Sequence, residues 1–112
     1  MKKKILAGQC MVTLENKEKM KLEYYLLEEV RDTELVLPLY GIQIVKKQNG
    51  RRGKLQEKET AAALSYSREQ VEAMLDCMVN HTVTPVGMLA VVDDWMSEGR
   101  YLNDRDLMIQ AT

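Results

Sequence analysis

Phenylalanine is missing from the 112 residues, and histidine and tryptophan each occur once. There are two prolines and two cysteines, and no apolar run approaches the ~20 residues of a membrane-spanning helix. Each shortage excludes something. Cys10 and Cys77 lie far apart, which provides neither a disulfide framework nor the close ligand pairs of a zinc site; two reduced thiols in a cytoplasmic protein are expected. His81 stands in a short segment beside Thr82 and Thr84, without the nucleophile and orienting group that catalysis would require. A glycine-rich phosphate loop, His-Glu-X-X-His and Cys-X-X-Cys are all absent. The adjacent carboxylates Asp93 and Asp94 would diverge on a helix instead of converging on a metal or a proton. A non-enzymatic protein is therefore expected, with no catalytic residue, metal or cofactor. The formal net charge of -1 supplies no global attraction to nucleic acid or membrane, so any such preference must be local.

What is present suffices for one hydrophobic core. The apolar fraction is 46%, which argues against global disorder, and the length suits a single domain. Eight methionines read as flexible core filler in place of the absent phenylalanine. The apolar run after Lys2-Lys3-Lys4 is broken by Gly8 and Gln9, so it reads as a strand and not as a leader peptide.

Period-two alternation dominates the first half. From Lys4 to Leu14, the residues Leu6, Gly8, Cys10, Val12 and Leu14 form the expected inward set. After a polar turn over 15–19, a second strand from Met20 to Glu29 turns Met20, Leu22, Tyr24 and Leu26 inward and pairs with the first as a hairpin. Pro38 makes the preceding segment a connector or an edge, so a third strand is expected to start near Leu39 or Tyr40 and to run through Ile42 and Ile44. Asn49-Gly50 marks the next hairpin turn. A weakly apolar fourth strand follows from Lys54 to about Thr60 as a charged, solvated edge.

Period 3.6 then takes over. Ala61 to Leu64 leads into a helix over 66–80, with Ser67 as N-cap, Gln70 completing a capping box, Tyr66 and Val71 as a staple, and Asn80 near the left-handed end. Its buried stripe is Val71, Met74, Leu75, Met78 and Val79. Thr84-Pro85 opens a second helix with the stripe Met88, Val91, Val92 and Trp95, and Gly99 stops it. The expected fold is α+β: a four-stranded antiparallel meander with two C-terminal helices packed on one face. Residues 1–99 form the domain, and residues 100–112 form a tail apolar enough at Leu107, Met108 and Ile109 to pack onto it.

Local charge gives the candidate binding sites. Lys46, Lys47, Arg51, Arg52 and Lys54 cluster without an acid between them at the expected turn, a group that could lie against nucleic-acid phosphates. Glu28, Glu29, Asp32 and Glu34, together with Asp93 and Asp94, form an acidic set suited to a basic protein partner.

Tyr24-Tyr25-Leu26-Leu27-Glu28-Glu29, Tyr40-Gly41-Ile42, the Ser67 to Glu72 helix start, Val83-Thr84-Pro85 and Val91-Val92-Asp93-Asp94-Trp95 resemble a family of small uncharacterised proteins of Clostridia and related Firmicutes, over most of residues 20 to 97. The resemblance implies one compact bacterial domain and transfers no active site. Proteins of this kind are often carried on mobile elements, where inhibitors of host defence recur. That association makes an anti-CRISPR protein the concrete expectation, one that contacts Cas9, alone or with its guide RNA, or interferes with guide loading. The alternatives are a small regulatory nucleic-acid-binding protein using residues 46–54, and a structural module that oligomerises through the fourth strand or the tail.

Overall fold

Alternation and helical periodicity produce the architecture the sequence leads one to expect, and the departures occur where tertiary packing overrides local preference. The computed structural model describes residues 2–30, 37–50 and 53–97. Strands β1 (Lys2–Thr13), β2 (Lys19–Val30), β3 (Pro38–Gly50) and β4 (Gly53–Ser65) form one antiparallel sheet in the order β1-β2-β3-β4. Helix α1 (Arg68–Asn80) and a second helix, α2, over residues 85–97 complete the described chain. The tail at 100–112 lies outside the described residues.

The core lies between the sheet and the helices. Leu22, Tyr24, Leu26, Ile42 and Ile44 from the sheet meet Val71, Met74, Leu75 and Met78 of α1 and Met88 and Val92 of α2. Methionine fills part of the space that phenylalanine would otherwise take: Met20, Met74, Met78 and Met88 are all buried. The ordered rows of the ladder make the packing legible. Ile5, Leu26, Ile42 and Ala61 stand in one cross-strand row, and Gly8, Tyr24, Ile44 and Glu59 in the next.

Two irregularities change which side chains face inward. In β1, Leu6 pairs with Tyr25 and Gly8 with Tyr24, so Ala7 is an extra residue that reverses the alternation. Ile5 therefore packs on the core, while Leu6, expected inward, is 49% exposed on the other face. The second irregularity corrects the expectation that Ala61 to Leu64 belongs to the helix approach. Those residues are strand, because β4 continues past Thr60 and places Ala61 opposite Ile42 and Ser65 opposite Tyr40. Ala62, Ala63 and Leu64 thus stand against the single residue Gly41, with Ala63 at φ 55°. Burial and ladder pairing outweigh the helix propensity of an alanine run.

Smaller boundaries shift too. Strand β3 begins at Pro38, opposite Val30, because a first strand position tolerates a residue without an N–H. Pairing runs past Asn49, expected at the turn, to Gly50 opposite Gly53. At the start of α1, Ser67 Oγ accepts from the Gln70 N–H at 3.2 Å, as an N-cap does. The reciprocal half of the capping box is taken over by Ser65, whose Oγ accepts from the Ser67 N–H and donates to Gln70 Oε1. Tyr66 is 64% exposed, so the expected staple with Val71 does not close.

The end of α1 is a Schellman turn. Val83 N–H bonds the Met78 carbonyl and Thr82 N–H bonds the Val79 carbonyl, which puts Thr82, not Asn80, in the left-handed position at φ 53°. This turn also aims the Val83 carbonyl at the sheet, where the buried Tyr24 hydroxyl donates to it at 2.8 Å.

Candidate functional site

A strand sends alternate side chains to opposite faces. Among the described residues, helices cover only one face of this sheet; the complementary set is left open by them, and its composition is uneven. Following the register, the open face carries Lys2, Lys4, Lys19, Lys21, Lys47, Lys54 and Lys58, with Glu23 and Glu29 as its acids among the described residues. The other side of the molecule holds Glu28, Glu57 and Glu59 from the sheet and the acids of α1 and α2. Charges that look intermixed along the chain are thus partly separated through the thickness of the fold.

Near one end of the open face is a row in which Met11, Lys21, Lys47 and Gln56 stand side by side. Two lysines directly opposite each other on neighbouring strands repel. Glu23, one row away and only 7% exposed, offsets that repulsion. Its carboxylate lies 2.9 Å from Lys47 Nζ and 3.7 Å from Lys21 Nζ. The Lys47 ammonium holds the Glu23 carboxyl below the usual carboxylate range against the opposing effect of burial, and Lys21 adds to it. Reciprocally, Glu23 raises the Lys47 pKa.

A cleft of ≈ 530 Å³ opens at this end of the sheet, lined by Met11, Lys19, Lys21, Lys47, Gln48, Asn49, Lys54, Leu55 and Gln56. Met11, on the same face as Lys21 and Lys47, is 61% exposed, so the cleft sets apolar surface beside ammonium groups. Towards the other end the same face becomes more apolar. Tyr25 stands between Leu6 on β1 and Gln43 on β3, and Lys4 Nζ sits 4.1 Å from the centre of its ring. Burial and the neighbouring Glu23 raise the Tyr25 pKa, so the phenol is neutral at physiological pH.

The basic group expected at 46–54 is divided by this geometry. Lys47 and Lys54 belong to the open-face cleft. Lys46 alternates to the helix-covered face, half-buried, and pairs with Glu57 at 3.6 Å. Arg51 and Arg52 lie outside the described residues. The acidic set is divided as well. Glu28 and Glu29 are successive strand residues and point to opposite faces, Asp93 and Asp94 are exposed on α2, and Asp32 and Glu34 lie outside the described residues. Reading neighbours along the chain missed Lys4, Lys19, Lys21, Lys58 and Glu23. The signal that finds them is parity within each strand.

Nothing on the open face has the arrangement of a nucleophile with its base. His81 is exposed at the C-cap of α1, and among the described residues no three His, Cys, Asp or Glu side chains could hold a metal. Cys10 and Cys77 are both half-buried free thiols, and Cys10 Sγ lies 4.0 Å from the Tyr24 hydroxyl. A second hollow, ≈ 250 Å³ between β1 and α1, is lined in part by Arg68 and Glu72, which are already paired at 2.7 Å. No helix among the described residues is long and apolar enough to cross a membrane.

The sequence model of a family of unknown function, DUF6514, matches residues 3–98. No curated protein and no solved structure matches the chain.

Proposed function

The chain belongs to the DUF6514 family, and from that premise we propose that it is a non-enzymatic binding protein whose open sheet face takes an anionic partner, in the first instance nucleic acid. The observation that carries the reading is the parity of the lysines. Lys4, Lys19, Lys21, Lys47, Lys54 and Lys58 come from all four strands, yet alternation places them on the one face that neither described helix covers. Ammonium groups arrayed on a surface gain affinity for phosphates by releasing condensed counterions, whatever the net charge of the whole chain.

The finer form of the proposal is an anti-CRISPR protein that interferes with guide RNA loading or contacts Cas9. Its support is the resemblance of the chain to small Firmicutes proteins, and a surface that holds RNA would suit competition for a guide. The cytoplasm is the compartment this reading requires.

The test is direct titration of RNA into the purified protein across a salt series. A linear fall of log affinity with log salt is expected, with a slope of about -0.7 for each phosphate contact to a single strand. Replacing Lys21, Lys47, Lys54 and Lys58 by Gln together should flatten the slope by several contacts, whereas Lys46→Gln should leave it nearly unchanged. If RNA is not bound at low salt, the proposal is wrong. Adding the protein to Cas9 before and after the guide examines the finer form: cleavage unaffected in both orders, with RNA binding intact, rejects Cas9 inhibition and leaves the binding function standing.

A further inference from the structure

The open face is more than a field of charge, and resting on the reading above, we propose that its ligand is single-stranded nucleic acid, with one base stacked at Tyr25 and the neighbouring phosphates on the lysine rows. Two regions of different chemistry lie end to end on this one face. The end near Asn49 carries Lys19, Lys21, Lys47 and Lys54 around the cleft. The middle and opposite end carry Tyr25, Leu6 and Leu27, of which Leu6 is 49% exposed and the other two are half-buried.

A duplex offers a protein its phosphates and grooves but hides the faces of its bases, so it gains nothing from an aromatic ring set in a sheet face. A single strand presents unstacked bases, and proteins that hold one combine a cationic track with rings on which the bases stack. The spacing suits a short strand. From Lys19 to Leu27 along β2 is about 26 Å at ~3.3 Å per residue, room for several nucleotides.

The Tyr25 ring is held for this use. Its row neighbours Leu6 and Gln43 flank it on adjacent strands, and Gln43 is itself fixed by its side-chain amide donating to Thr60 Oγ1 at 2.9 Å. The Lys4 ammonium over the ring shows that a ring face is open to a group of that size. An incoming base would take the place of that ammonium, which would move to the adjacent phosphate. Charge complementarity and ring placement thus select the same occupant.

The experiment compares a short single-stranded RNA, the same sequence as a duplex, and heparin, each titrated against wild type and against Tyr25→Leu and Tyr25→Phe. The single strand should bind at least about tenfold tighter than the duplex, and Tyr25→Leu should weaken it by about 5- to 100-fold while barely changing heparin binding. Tyr25→Phe should retain affinity for the single strand, which separates loss of stacking from loss of the hydroxyl. Thermal melts of both variants check that the fold survives. If single strand and duplex bind equally and Tyr25→Leu alters neither, the stacking inference is overturned while polyanion binding stands. If none of the three is bound at low salt, both this inference and the function it rests on fail. A Tyr25→Phe variant as weak as Tyr25→Leu also overturns the stacking role.

Discussion

Gly41→Ala should be among the most damaging single-methyl additions in this protein. A Cβ at position 41 would stand 2.4 Å from the Ala61 carbonyl oxygen, 2.8 Å from Ala62 Cα and 3.1 Å from Ala63 N. All three are backbone atoms, so no side chain can rotate away. Ordinary van der Waals contact begins near 3.4 Å, which means β4 must retreat by about 1 Å. That retreat acts where Ile42 pairs with Ala61 and Tyr40 with Ser65, and Ile42 is fully buried. Overpacking a closed site costs about 1–3 kcal/mol, and a ladder hydrogen bond lost with it about 1 kcal/mol more. A net loss of about 3 kcal/mol is a large share of the roughly 5–15 kcal/mol that stabilises a domain. At about 4–8 °C per kcal/mol for a domain of this size, the melting temperature should fall by roughly 12–24 °C. Circular dichroism melts would measure it, and amide exchange should show the loss of protection concentrated over residues 61–65. The natural control is Gly87→Ala, in α2, where the nearest atom to the new methyl is 4.0 Å away. That change should stabilise by about 0.5–1 kcal/mol, since alanine loses less entropy on entering a helix. If Gly41→Ala melts within about 2 °C of wild type, a shift smaller than 1 kcal/mol would give, the close approach of β4 to β3 is not as described.

Thr82→Gly should raise stability by about 0.5–1 kcal/mol in urea unfolding, because Thr82 holds a left-handed conformation that glycine adopts freely. Tyr24→Phe should cost about 1–2 kcal/mol by leaving the Val83 carbonyl without its donor. Burial, with the nearby Cys10 adding to it, raises the Tyr24 pKa above the ordinary 10.0, so its neutral form favours the folded state. That contribution is fully present below pH 10.0 and is lost as pH rises through the folded value, so the stability gap between wild type and Tyr24→Phe should narrow in strongly alkaline urea titrations. Glu23 has the opposite sign. Its pKa is lowered from 4.5, so its contribution is present above that value and is lost as pH falls through the folded one; Glu23→Gln should melt lower at neutral pH and show a shallower acid decline. The same variant frees Lys21 and Lys47 from their internal counter-charge, so RNA should bind severalfold more tightly at low salt. Unchanged affinity would remove Glu23 from the account of the site.

The residues that define the fold acted locally enough to be read without coordinates. Strict alternation in β2, the Ser67 N-cap and the Thr84-Pro85 helix start each state an element through the geometry of two or four neighbouring residues. The same logic failed at Ala7, where one inserted residue exchanged Leu6 for Ile5 in the core. It failed again at Ala61 to Leu64, where an alanine run that favours a helix is drawn into β4 instead, between Ala61 paired with Ile42 and Ser65 paired with Tyr40. A bulge leaves no compositional trace, since it depends on which partner strand lies opposite.

The candidate site was less legible than the fold for a related reason. Lys47 and Lys54 were visible as part of a basic run, but the run also contained Lys46, which the pleat turns to the other face and pairs with Glu57. The lysines that join Lys47 come from β1, β2 and β4, tens of residues away in the chain, and they become neighbours only through the register.

The sequence by itself determined the order of the elements, the sides of β2 and β3 that bury, and the absence of a recognisable catalytic set, because periodicity and residue chemistry are properties of short segments. Tertiary structure alone decided which face stays open, which lysines share it, and that Glu23 lies between two of them. Those outcomes depend on the pairing of distant strands and on where the helices come to rest, and neither is encoded in any one stretch.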